Sequence, residues 1–147
     1  MKEFVIKVAI LIVFAFSVSI TQAQEGPADI IKNFFKKYEK NPGAAFDYLY
    51  SNNEWMQRSQ DDIDNLKMQV QNATTLIGTY QGYELLDTRK LGESFVLYSY
   101  LIKYQRQPMR FVFEFYKPES QWKTYGFSYD KNPDTDLENS SREAIGK

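Results

Sequence analysis

Cysteine and histidine are both missing from the 147 residues of this chain. Their absence removes whole chemistries: a thiol nucleophile, a Ser-His-Asp triad and a zinc centre built on sulfur or imidazole cannot be assembled. An exported protein of this composition is held together by packing alone, without disulfides. An excess of one charge is missing too. Lysine and arginine number 18 against 19 acids, with both signs scattered along the chain, so neither nucleic acid nor an anionic membrane surface has electrostatic support as a partner.

A long apolar run is also lacking. The N-terminal one, Val8 to Phe16, is far shorter than the roughly 20 residues needed to cross a bilayer. Lys2 and Lys7 precede it and Thr21-Gln22-Ala23 follows, the layout of a secretory signal peptide cleaved after Ala23. With no cysteine near the cut, the mature chain is expected in the periplasm or outside the cell, not lipid-anchored and with no membrane span after processing. Residues 24–147 then carry 16 basic and 18 acidic side chains. They suit a single domain over 24–130, followed by a polar tail, 131–147, whose lack of periodic apolar positions predicts disorder.

The chain also has three helical patterns. Over Pro27 to Lys40, Ile30, Ile31, Phe34, Phe35 and Tyr38 recur one turn apart opposite lysines, and Asn41-Pro42-Gly43 should end the helix. Ala44 to Tyr50 predicts a short second helix. Ser59-Gln60-Asp61-Asp62 reads as a helix start, with Ile63, Leu66, Val70, Ala73 and Ile77 as the apolar stripe of a third. The acids there suit the positive end of a helix dipole better than a metal cluster.

After Gly82 the period changes to two, and Tyr83 to Tyr129 predicts four strands in an antiparallel meander. Setting Tyr104 opposite Met109 pairs Tyr100 with Phe113 and Tyr98 with Phe115, so Tyr98, Tyr100, Tyr104, Phe111, Phe113 and Phe115 share one face. That register puts Lys103 opposite Arg110, an unfavourable pair. The same arithmetic adds Tyr83, Leu85, Asp87 and Arg89 to the aromatic face from the first strand, and Thr124, Gly126 and Ser128 from the last. A one-residue bulge would flip part of this map. The expected fold is α+β, with N-terminal helices packed on a curved antiparallel sheet of about four strands. Tyr125 and Phe127 on the opposite face suggest a homodimer through the sheet.

Helices first, then LIGTYQGYELL leading into strands, then FVFEFYKPESQWKTYGFSYD, resembles small exported members of the nuclear-transport-factor-2-like superfamily, a cystatin-like α+β cone. The resemblance implies a sheet wrapped around helices with a cavity open at one end. Members include isomerases, dehydratases, cyclases and proteins without known catalysis, so the fold decides no activity. The His and Asp pair common in enzymatic members has no counterpart here, and no catalytic residue carries over.

From the residues themselves, the best enzymatic constellation is Asp87 as a carboxylate base with Tyr98 and Tyr100 as phenolic donors, an isomerase-like or dehydratase-like arrangement. An ion pair between Asp87 and Arg89 at the rim is the plainer reading. Asp130 to Asp136 alternates oxygen ligands as a calcium loop does, but Thr135 stands where glycine is required and Ser141 where a bidentate glutamate is. The favoured expectation is a non-enzymatic module, requiring no cofactor or metal. It would hold a small apolar ligand between Tyr98, Tyr100, Phe113 and Trp122, or else bind a protein partner.

Overall fold

The computed structural model describes residues 25–145. The segment read as a signal peptide, residues 1–23, lies outside the described residues. Among the described residues, four helices precede a four-stranded sheet and a fifth follows it.

Helix α1, Pro27–Tyr38, has proline in its first turn, where no amide partner is needed. Asp29 accepts the Gly26 amide at 3.3 Å, and Lys36 and Lys37 sit at the negative end of the dipole. Its apolar stripe is buried throughout, from Ile30 to Tyr38. Asn41-Pro42-Gly43 does end this helix, and it also begins the next. The Asn41 side chain accepts the Ala44 amide at 3.1 Å, and Pro42 opens α2, Pro42–Tyr50. A single turn, α3, Glu54–Gln57, is capped by Asn53. No periodicity announces it. Helix α4, Gln60–Thr75, starts after Ser59 as expected, although the serine side chain makes no capping bond. Ile63, Val70 and Ala73 are buried along it, and Ile77 beyond its end.

The chain reverses at Gly78, whose φ of +90° suits glycine and where a Cβ would lie 2.9 Å from the Gln105 Cβ. The strands follow: β1, Tyr80–Leu91, then β2, Phe95–Tyr104, β3, Met109–Tyr116, and β4, Lys123–Asp130. They pair antiparallel in chain order as a curved, open sheet, with the helices over one face: the expected α+β class. Beyond the sheet, α5 spans Thr135–Ile145, within the stretch read as a polar tail.

The register differs from the expected one in three places. Ile102, not Tyr104, stands opposite Met109, so Tyr98 faces Phe113 and Tyr100 faces Phe111. A slip of two residues keeps every side chain on its face, and it also separates Lys103 from Arg110. Lys103 bonds Glu84 at 2.8 Å and Arg110 bonds Asp130 at 3.0 Å. Of three register shifts, one lies at the start of β1 between Tyr80 and Gly82, and two fall within the expected strands and change faces. One, between Leu85 and Asp87, keeps Tyr83 and Leu85 with the inner aromatics but puts Asp87 opposite Ser99 and Arg89 opposite Leu97 on the outer face. The other lies at Tyr125. Thr124 pairs with Phe115 as expected, but Gly126 moves to Glu114, Phe127 to Phe113 and Tyr129 to Phe111. The physical gain is plain. The bulge exchanges a glycine and a serine for two large rings on the covered face.

Candidate functional site

The inner face is filled by rings. Phe34 of α1 lies 5.1 Å from the Phe113 centroid, and Phe35 lies 5.3 Å from Tyr100 and 5.7 Å from Phe113. Phe127 closes the other side, 5.0 Å from Phe46 and 5.3 Å from Phe113. Most of these contacts are edge-to-face, the arrangement that the ring quadrupoles favour. Phe34, Phe111, Phe113 and Phe115 have no exposed surface at all.

The four expected pocket walls lie in different surroundings. Phe113 and Tyr100 are packing partners 5.9 Å apart beneath α1. Tyr98 packs 6.3 Å from Phe115, and Trp122 lies half-buried under the Lys117 ammonium, 5.1 Å from its ring. Asp87 is not brought to Tyr98 and Tyr100. Beyond its bulge it faces outward and accepts from Arg89 at 2.6 Å, and that guanidinium, with help from the Thr88 amide, lowers its carboxyl below the usual range. Phe127, expected on an outer dimer face, lies instead on the inner face, partly buried and packed against the core. At the end of β4, the Asp130 carboxylate is occupied by Arg110 and by the Asn132 amide, so it is not the open ligand a calcium loop requires.

One polar feature does lie inside. The Tyr38 and Tyr104 hydroxyls meet at 2.7 Å in a buried contact, with the Tyr80 ring 5.6 Å from Tyr38. Burial raises all three phenols, most strongly Tyr38, and Tyr104 is pushed up to about 12. Groups so reluctant to ionise serve as neutral hydrogen-bonding members of the core.

The exposed aromatic surface gathers instead at the edge of β4. Thr124 is completely buried and triply held: its hydroxyl donates to the Leu49 carbonyl at 2.6 Å, its amide to Asn52 at 3.0 Å, and its carbonyl accepts from Asn53 at 2.8 Å. The two asparagines occupy backbone groups that an edge strand would otherwise leave open. They also fix α3 against the strand, just where the bulge leaves Tyr125 outward. The result is a groove of about 380 Å³ walled by Trp55, Met56, Tyr116, Pro118 and Tyr125. Trp55 is 65% exposed and Tyr125 57%. The Tyr125 ring rests on Phe95 at 5.3 Å and Tyr116 at 6.5 Å, which continues the aromatic surface onto the outer face.

Comparison of this chain with protein-family models, curated proteins and solved structures gave no match. Its function has to be argued from the groove and the core. The sequence did hold a signal for the groove: Trp55 falls between two helical stripes and belongs to neither, leaving a large ring without a covered face to join.

Proposed function

We propose that this chain is an exported α+β binding domain of the nuclear-transport-factor-2-like type, which works through contact with another protein and not through catalysis. The order of elements, helices followed by an open antiparallel meander, agrees with that fold type. The observation that carries the reading is where the aromatic surface goes. Phe113 and Tyr100, the rings best placed to wall a ligand cavity, are packed against Phe34, Phe35 and Phe127, whereas Trp55 and Tyr125 remain in solvent. Large exposed aromatics beside methionine and arginine are the composition of protein interfaces, where such residues supply most of the binding energy. A carboxylate-and-tyrosine enzyme is disfavoured, because Asp87 lies across the sheet from Tyr98 and Tyr100.

A photo-crosslinking amino acid placed at Tyr125, and in parallel at the distant Lys36, tests this in the native host. Discrete protein adducts are expected from position 125 and not from position 36. Native mass spectrometry of the gently isolated protein should show the bare polypeptide. A retained hydrophobic compound, with no adducts at position 125, would contradict the reading.

A further inference from the structure

We infer that the free edge of the sheet, the end of β1 from Asp87 to Leu91, pairs antiparallel with the same segment of a second copy of this chain. This goes beyond the binding-domain reading and does not depend on it. The two edges of the sheet are finished differently. At β4 the Thr124 amide and carbonyl are taken by Asn52 and Asn53. At β1, among the described residues, no backbone-to-backbone hydrogen bond reaches Tyr80–Leu91 from any element but β2. An open edge is a template for a further strand, and natural edges are ordinarily protected by shortness, proline or a covering element. This one is 12 residues long, has no proline, and carries Leu85, Leu86 and Leu91, each more than half exposed.

The charges say what pairs with it. The bulge between Leu85 and Asp87 interrupts the edge and leaves Asp87–Leu91 as its regular stretch, with Asp87 and Arg89 on the outer face and Thr88 and Lys90 on the inner. In a two-fold antiparallel pair that continues the sheet, opposed residues share a face, so one residue must face its own copy. Centring on Asp87, Arg89 or Lys90 opposes like charges, and centring on Leu91 leaves the strand at once for the Gly92 turn. Centring on Thr88 sets Asp87 opposite Arg89 of the second copy and Arg89 opposite its Asp87, around a threonine pair. Lys90 then lies beside Leu85 and Leu86 of the other copy, where its methylene stem covers them and its ammonium stays in water. Of the nearest charges outside the segment, Glu84 is held by Lys103 at 2.8 Å, and Glu93 sits in the turn beyond the pairing. In the free chain the same groups are held internally, because the Asp87 carboxylate accepts the Thr88 amide at 2.8 Å and Arg89 at 2.6 Å. Pairing exchanges these partners for their counterparts in the second copy. The association is therefore reversible, and covering the leucines supplies its drive.

Sedimentation velocity of the mature protein, carried up to about 100 µM, should show a monomer–dimer equilibrium in the micromolar range. Asp87→Arg sets like charges opposite each other and should weaken it about tenfold or more. Adding Arg89→Asp to the same chain restores opposite charges and should return the wild-type association. Because the chain has no cysteine, Thr88→Cys introduces a single thiol, which faces its own copy within reach of a disulfide. Mild oxidation should then give a covalent dimer, whereas Lys36→Cys on α1 should not. A monomer at every concentration, failure of the double variant to recover, or equal crosslinking from both positions would overturn the inference. So would loss of association in Trp55→Ala, since the contact would then lie at the β4 edge. Tyr125 stands at that opposite edge, so adducts there report on the binding-domain reading alone.

Discussion

Raising the pH should unfold this protein through its buried tyrosines. Tyr38, Tyr50 and Tyr104 are all less than a tenth exposed, and burial lifts each phenol above its ordinary 10.0, Tyr50 and Tyr104 to about 12. A folded-state value above the unfolded one means that the folded chain holds the proton more tightly. The stabilisation is then complete below pH 10 and is lost as pH rises from 10 towards 12. Each independent group contributes about 1.4 kcal/mol per pH unit in that window. Tyr38 and Tyr104 share one hydrogen bond, and ionisation of one opposes ionisation of the other, so the pair acts as a single group. With Tyr50, the loss by pH 12 reaches about 5 kcal/mol, the lower end of a typical domain's total stability. Near-ultraviolet phenolate absorbance and far-ultraviolet circular dichroism, followed together, should show a cooperative step between pH 11 and about 12. Tyr38→Phe should cost about 1 kcal/mol at neutral pH through the lost hydrogen bond. If every tyrosine ionised by about pH 11 with the dichroism unchanged, the buried-phenol reasoning would be wrong.

Four substitutions probe other parts of the account. Thr124→Val keeps the shape but leaves the buried Leu49 carbonyl without its 2.6 Å donor; chemical denaturation should record a loss of about 1–3 kcal/mol. Gly78→Ala meets both a positive φ and the Gln105 Cβ at 2.9 Å, and the same assay should show about 1–3 kcal/mol of strain. Phe113→Ala removes a ring with no exposed surface, for which about 3–5 kcal/mol is expected. Asp87→Asn loses only a solvent-facing partner of Arg89 and should leave the melting temperature unchanged.

Local chemistry made the helices legible. Ile30, Ile31, Phe34, Phe35 and Tyr38 follow the helical period without exception, and each is buried. Asn41-Pro42-Gly43 was readable as punctuation, but whether it closes one helix or opens the next depends on the Ala44 amide, which a pattern does not display. Face parity on β2 and β3 was legible because both strands run without a bulge. Their register was wrong by two residues, and the unfavourable Lys103 and Arg110 pair was its warning. The bulges were not legible, because a bulge is chosen by what the whole face gains. Alternation in Thr124-Tyr125-Gly126-Phe127-Ser128-Tyr129 permits either parity, and only packing against Phe34 and Phe46 selects the one that turns Phe127 inward. The groove depends on that bulge and on α3, so it was equally hidden, although Trp55 stood out as a ring without a stripe.

The central claim is that the face expected to wall a cavity is solid and that the working surface is at the edge. Xenon-pressurised crystals test it directly, because xenon enters apolar voids that water leaves empty. The account predicts no xenon between α1 and the sheet in the wild-type protein, and a site there in Phe113→Ala. A xenon atom bounded by Phe34, Tyr100 and Phe113 in the wild type would contradict it.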